Sequence, residues 1–277
     1  MIERIPSRHT RGISPRPGPI KIWSPRYINN LIYWWDFSDH RMMYTDAGVT
    51  RVANDADLIY QINDKSGLAG HATQATSGSR PQYKQRIQRL YPASLYDGTD
   101  DNLAGPINTN LSAGYSIFFV GKPGSVRTQL LVSINNGDAA GIQNRMQFIA
   151  NSDGSISCRA HQNATGTGVY IGRKTATGQY VANTLYLFDG HYDGGTLASG
   201  IDVFINGVEK DTLNDSAGTF TGVPSTTNVP IRIGSQQSTS LSFWLGHIFE
   251  IIVYNAEITD AEKQAVRKYL NGKYRIY

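Results

Sequence analysis

With 277 residues, 40% of them hydrophobic, the chain is long enough to bury one sizeable core. No run approaches the roughly 20 apolar residues of a membrane helix, and the amino terminus, "MIERIPSRHTRG", lacks the apolar segment of a secretory signal. Cys158 is the single cysteine, which excludes an intrachain disulfide and a multi-cysteine zinc site. The expectation is a soluble globular protein, made in a cytoplasm.

The net charge of +4 is unevenly placed. Arg4, Arg8, Arg11, Arg16, Lys21 and Arg26 all lie within the first 30 residues, with Glu3 as the only acid there. Pro6, Pro15, Pro17, Pro19 and Pro25 share this stretch, and proline removes backbone donors and fixes φ, so "SPRPGPIKIWSPR" suits neither a helix nor a sheet interior. Residues 1–28 are expected to be an extended arm that lies on a partner, with its six basic side chains as the contacts, or else a disordered leader. Dispersed charges of this kind form no recognisable nucleic-acid module.

From residue 29 the texture changes to short apolar stretches punctuated by Gly, Asn, Asp, Ser and Thr, the pattern of antiparallel β structure. Trp34 and Trp35 adjoin a strand start and are expected in the core. "SLYDGTDDNL" (94–103) brings Asp97, Asp100 and Asp101 together. "YSIFFVGK" (115–122), "QLLVSI" (129–134) and "RMQFIANSDGSISCRAH" (145–161) predict strands, the last two of them joined by a turn at Asp153 and Gly154. Within it Ile156, Cys158 and Ala160 share one face, which makes Cys158 a core thiol. "IDVFINGVEKDTL" predicts a hairpin, since Asn206-Gly207 supplies the two positive φ values of a type I′ turn. "VPIRIGS" adds another strand, and "WLGHIFEIIVYN", apolar on both faces, predicts a central one. In "ITDAEKQAVRKYLNGKY" Thr259 and Glu262 form a capping box; Ala261, Ala265, Val266, Tyr269 and Leu270 make one face, and Gly272 is placed to end the helix.

In this order, "YWWDFSD", "INDKSGLAGHATQATSGSRPQY", "SLYDGTDDNL", "YSIFFVGK", "LFDGHYDGG" and "FWLGHIFEIIVYNAEITDAEKQAVRKYL" resemble the laminin-G-like, concanavalin-A-like jelly-roll domains of bacteriophage structural proteins. The resemblance spans residues 31 to 274. It implies an all-β, two-sheet antiparallel β-sandwich over residues 29–277, closed by a short carboxyl-terminal helix. It also implies a non-enzymatic virion protein, a capsid decoration or tail-fibre component, present in several copies and joined to its neighbours by the arm. A carbohydrate-binding module for host recognition is the alternative, and a glycan-degrading enzyme a third reading.

The residues are searched for chemistry with that fold in mind. Retaining glycosidases of this fold resemble one another in carrying paired acids on one strand. Of the five glutamates here, Glu3 is in the arm, Glu209 beside a turn, Glu257 and Glu262 at the helix start, and Glu250 alone lies in a strand, among apolar neighbours. Glu250 is expected to be a satisfied strand residue. No G-x-S-x-G elbow is present, and His9, His40, His71, His161, His191 and His247 form no close ligand pair. No cofactor is required on this reading. Calcium is the metal to consider, with Asp97, Asp100 and Asp101 as its candidate ligands and Asp138, Asp189 and Asp193 as further loop carboxylates. The first cluster departs from the EF-hand pattern, because Asn102 and Asn108 stand where glycine and glutamate are needed, and an Asp-rich turn explains it without an ion. For a contact surface, Tyr170, Tyr192 and Trp244 are the candidates, as amphipathic rings suited to sugars and to protein interfaces.

Overall fold

The computed structural model describes residues 23–107, 109–135, 144–162, 168–224, 230–236 and 242–277. Of the arm contacts expected from the sequence, Arg4, Arg8, Arg11, Arg16 and Lys21 lie outside the described residues, as does Asp138.

The strands, in chain order, are β1 (Leu31–Asp36), β2 (Met43–Tyr44), β3 (Gln61–Ile62), β4 (Ala72–Thr73), β5 (Gln82–Gln88), β6 (Tyr91–Asp97), β7 (Leu103–Ile107), β8 (Tyr115–Pro123) and β9 (Gln129–Asn135). They continue with β10 (Asn144–Ala150), β11 (Ile156–His161), β12 (Tyr170–Lys174), β13 (Tyr186–Tyr192), β14 (Ile201–Ile205), β15 (Val208–Glu209), β16 (Leu213–Asn214), β17 (Pro230–Ile233) and β18 (Leu245–Tyr254). One helix, α1 (Asp260–Tyr274), follows. The strands form two antiparallel sheets. One runs β15-β14-β13-β8-β18-β6-β5, with β1 also paired to β18; the other runs β16-β12-β11-β10-β9-β17-β7-β4-β3-β2. This is the expected sandwich, and β18 is central as its two-sided apolar pattern predicted.

The period-two alternation of each strand builds the core between the sheets. Phe119, Phe188 and Ile251 meet Val132, Phe148, Cys158 and Ile231 there, all of them buried. The sheets are close where Gly190 faces Cys158: a Cβ at Gly190 would stand 2.9 Å from the thiol sulfur. Burial pushes the Cys158 thiol up to about 12, as suits a core thiol. Asn206 and Gly207 have φ of 53° and 76°, and they turn β14 into β15 as their sequence requires.

The opposite face of β8, β13 and β18 is covered by α1. Phe118, Val120, Leu187, Phe249 and Ile252 pack against Val266, Leu270 and Tyr274 in a second apolar cluster. Burying Val266 and Leu270 is worth about 1.5–3 kcal/mol each. The Thr259–Glu262 capping box forms as expected. Two details of the helix differ from the sequence reading. It runs through Gly272 to Tyr274 and ends at Arg275, which takes the left-handed conformation with its N–H on the Asn271 carbonyl. Its buried face also includes Lys263 and Arg267, while Ala261 is exposed. The sheet beneath presents carboxylates, and basic side chains on the inner face are what satisfy them. No helix among the described residues is long and apolar enough to cross a membrane.

Candidate functional site

β1 pairs with β18 so that Asp36 stands opposite Glu250, and both side chains point to the face covered by α1. Trp34, two residues before Asp36 on the same face, donates its indole N–H to Glu250 Oε1 at 2.6 Å. From α1, one turn apart, Tyr269 donates to Oε1 at 2.9 Å and Lys273 Nζ lies 2.7 Å from Oε2. Tyr274 donates to Oε2 at 2.7 Å. The same Lys273 ammonium lies 2.9 Å from Asp36 Oδ2, and Lys65 adds a second ammonium at 2.8 Å. Ser38 donates to Asp36 Oδ1 from its hydroxyl at 2.6 Å.

Glu250 is fully buried and Asp36 only 3% exposed. Burial pushes Glu250 up, and the Asp36 charge pushes in the same direction, against Lys273. Burial acts on Asp36 too, but there Lys273 and Lys65 outweigh it and hold the carboxyl below its ordinary value. A cleft of about 500 Å³, lined by Asp36, Ser38, Asp39, Lys65, Tyr91 and Lys273 among others, opens over this network. Two carboxylates with divergent titration are the usual ingredients of acid–base chemistry. Here, however, each of their four oxygens already lies within hydrogen-bond distance of a donor from this chain. The pairing was missed in the sequence because the two acids lie near opposite ends of the chain and become neighbours only through β1–β18 register. The Glu250 environment agrees with the satisfied strand residue expected.

A second polar cluster lies under α1. Arg267 Nε donates to Asp189 Oδ2 at 2.9 Å, His191 Nε2 lies 2.9 Å from the same oxygen, and the guanidinium rests 3.8 Å from the Phe204 ring centroid. Asp189 is therefore not an available loop ligand for calcium. Asp193 is occupied too, accepting the Gly195 N–H at 2.7 Å.

The three aromatic candidates separate. Tyr192 is fully buried in β13 and donates to the Gly195 carbonyl, and Trp244 is fully buried against Phe119 at 5.2 Å between ring centroids. Both are core residues rather than surface contacts: strand alternation in β13 carries the Tyr192 ring inward, and Trp244, just before β18, is held by its backbone N–H on the Gly234 carbonyl. Tyr170 alone is partly exposed. It lies on the outward face of the ten-stranded sheet, with His161 at 4.9 Å and the Arg159 guanidinium at 4.6 Å from its ring. Strand register places Ser133, Gln147 and Arg159 in one outward row there, and His161 beside Tyr170 in the next. His161 Nε2 lies 3.1 Å from Gln147 Oε1, and Arg159 is bridged to Asp215 at 2.7 Å. The alternation around Cys158 already carried the signal for Arg159 and His161, since the residues between core positions must face out.

Arg26, the one described member of the basic arm, belongs to the folded body: Pro25–Tyr27 form a 3-10 turn and Arg26 Nε donates to the Lys65 carbonyl at 2.5 Å. Its partner is thus within the chain. Trp23 packs on Tyr269 with the ring centroids 5.5 Å apart and the planes tilted by 42°, which joins this segment to α1.

Carboxylate oxygens of Asp97, Asp100 and Asp101 lie within 4.8 Å of one another, close enough to hold a metal ion such as calcium. They also do turn work. Asp97 Oδ1 accepts the Thr99 N–H at 2.8 Å, Asp101 Oδ2 accepts the Asp97 N–H at 2.9 Å, and Asp100 Oδ2 accepts the Ser79 hydroxyl at 3.1 Å. Arg127 donates to the Gly98 carbonyl at 3.2 Å, so a cation already adjoins the loop. Burial first, then the charges of Asp97 and Asp100, raise Asp101 to about 7. The donor types suit calcium, while the bonds formed by Asp97 and Asp101 are those of a self-sufficient Asx-type turn.

Comparison with known proteins agrees with this architecture. The profile of the Concanavalin A-like lectin/glucanases superfamily matches residues 97–262, more than half of the chain. No curated protein matches the sequence. Among solved structures, a Trypanosoma rangeli sialidase in complex with sialic acid superposes with a TM-score of 0.57 at 10% identity, covering 89% of this chain and 33% of the sialidase. This chain thus spans about one third of that enzyme. Domain 4 of AbnA, a GH43 extracellular arabinanase from Geobacillus stearothermophilus, in complex with arabinotriose, superposes with a TM-score of 0.49 at 16% identity, over 85% of this chain and 96% of that domain. At 10% identity the likeness to the sialidase is one of fold. With its family profile matched and its two-sheet sandwich in place, the chain belongs to the Concanavalin A-like lectin/glucanases superfamily.

Proposed function

We propose that the protein is a non-enzymatic, sugar-recognising structural component of a bacteriophage particle. The observation that carries the non-enzymatic part is the saturation of Asp36 and Glu250: the acids that could have formed a hydrolytic pair are held by Lys65, Lys273, Trp34, Tyr269, Tyr274 and Ser38. A retaining hydrolase needs one carboxylate free to attack and another free to protonate the leaving oxygen. Sugar recognition is supported by the lectin-type fold and by the half-buried Tyr170 ring with the Arg159 guanidinium beside it on the outward face of the sheet. The particle setting rests on the sequence resemblance and on the proline- and arginine-rich arm, which suits attachment to neighbouring virion proteins.

The test is incubation of the purified protein with a panel of bacterial polysaccharides, reading release of reducing ends, alongside a glycan array with and without calcium. Binding without turnover is expected. Turnover that disappears in a folded Glu250→Gln variant would overturn the non-enzymatic reading, and a blank array would overturn sugar recognition.

A further inference from the structure

A cleft of about 660 Å³ opens beside the β5–β6 hairpin, lined by His40, Arg51, Val52, Tyr83, Arg86 and Leu90 among others. Its volume lies within the roughly 300–1,000 Å³ range of small-ligand sites. Its lining holds two guanidinium groups and no carboxylate. Arg41, Arg159, Arg173 and Arg267 each meet an aspartate, Asp39, Asp215, Asp211 and Asp189 respectively. Arg51 and Arg86 are both exposed, and neither meets a carboxylate among the described residues. The acids at this end of the sheet are engaged elsewhere: Asp55 with Lys84 Nζ at 3.1 Å and the Gln85 N–H at 3.0 Å, Asp57 with the N–H groups of Ala53 and Asn54 at 2.7 and 2.8 Å.

The hairpin that forms one wall is built at a cost. Arg86, Arg89 and Leu90 have φ of 55°, 48° and 74°, a region that costs a non-glycine residue about 1–2 kcal/mol. Core packing does not repay this for Leu90, which is 76% exposed. At Arg89 and Leu90 the two positive φ values are those of the two-residue type I′ turn that joins Gln88 to Tyr91, so they set the geometry of the hairpin. The turn places an apolar side chain, Leu90, in the lining of the cleft that Arg51 and Arg86 also line.

We propose that this cleft binds an anionic saccharide, with Arg51 and Arg86 as paired ligands of a carboxylate or sulfate group and Leu90 packed on the sugar's C–H face. Guanidinium forks match planar or tetrahedral oxyanions through paired N–H bonds, and an apolar side chain in the same lining suits a ring that carries such a group. His40 adds a third nitrogen-bearing side chain to the lining. The proposal rests on the sugar-recognition reading above and names the ligand class for a site outside the Tyr170 surface.

Isothermal titration at low and at physiological salt tests it, with three probes: an oligogalacturonate carrying carboxylates, a carrageenan oligosaccharide carrying sulfates, and a neutral galactose oligosaccharide. The protein is compared with Arg51→Gln, Arg86→Gln and, as a control outside the cleft, Arg89→Gln. Binding of the carboxylated or the sulfated probe, weakened about tenfold by each cleft substitution and unchanged by Arg89→Gln, is expected; which probe binds identifies the anion. Glycan binding equal in wild type and both cleft variants, or equal for neutral and charged probes, would overturn this site while leaving sugar recognition intact. Absence of binding to all three probes would overturn the site, and a glycan array on the same sample then decides whether sugar recognition falls with it.

Discussion

Asp36 and Glu250 face each other across β1 and β18 and share one ammonium group, with Lys273 Nζ 2.9 Å from the first and 2.7 Å from the second. One contact therefore joins the first long strand, the central strand and the last turn of the helix. Apolar packing orients α1 on the sheet, but this network fixes its register, because a shift of one turn would leave the buried Glu250 carboxylate without a cation and Asp36 with Lys65 alone.

Lys273→Met removes that cation. Loss of one partner of a buried pair costs about 3–5 kcal/mol, and a comparable loss of unfolding free energy in urea is expected. Adding Glu250→Gln removes the uncompensated charge and should restore part of it. Equal stability of Lys273→Met and the wild type would show that the helix is held by its apolar face alone.

Acid should weaken the fold through its buried imidazoles. Burial pushes His161 down to about 3 and His247 to about 4, and lowers His191 as well. A depressed folded value means that the unfolded chain takes up the proton first, so the stability these groups contribute is present above about pH 6.5 and is lost as pH falls toward 3–4. Asp101 acts in the opposite sense: its raised value, about 7, makes its contribution greatest at low pH and lost as pH rises through 7. The variant His161→Gln isolates one imidazole, and its Tm should fall less between pH 7 and pH 4 than that of the wild type. Parallel Tm curves would rule out His161 as a source of the acid sensitivity.

The Asp97–Asp101 turn should stand without calcium. Its carboxylates already accept the N–H groups of Asp97 and Thr99 and the Ser79 hydroxyl. Thermal unfolding is expected to give the same Tm in millimolar calcium and in chelator. A calcium-dependent rise that vanishes in Asp101→Asn would instead establish a bound ion, since a ligand that binds only the folded state must raise its stability.

The proposed attachment by the arm can be tested separately from folding. Trp23, Pro25 and Arg26 contact the body of the sandwich, so a deletion of residues 1–22 removes the basic arm while sparing those contacts. The shortened protein should keep its Tm and lose incorporation into particles. Undiminished incorporation would remove the arm from the assembly.

The strands and the helix cap were legible in the sequence because they depend on local chemistry: alternation places Phe119 and Cys158 inward, Asn206-Gly207 accepts positive φ, and Thr259 caps the Glu262 N–H. The two-sided apolar pattern of β18 even marked it as central. What stayed hidden were relationships between distant positions. Tyr192 and Trp244 were candidates for a contact surface, and only the packed sheets turn them into core. Lys263 and Arg267 took inner helix positions that helical periodicity reserves for apolar side chains, since the charges that hold them belong to β13, β14 and the segment before the helix. The sequence by itself determined which segments are strands, which is the helix and where turns can form. Only the tertiary structure decided that Asp36 and Glu250 share one cation, and that Arg51 and Arg86 meet at one cleft without an acid between them. Electrostatic energy depends on separation in space, and that separation is set by strand register rather than by position along the chain.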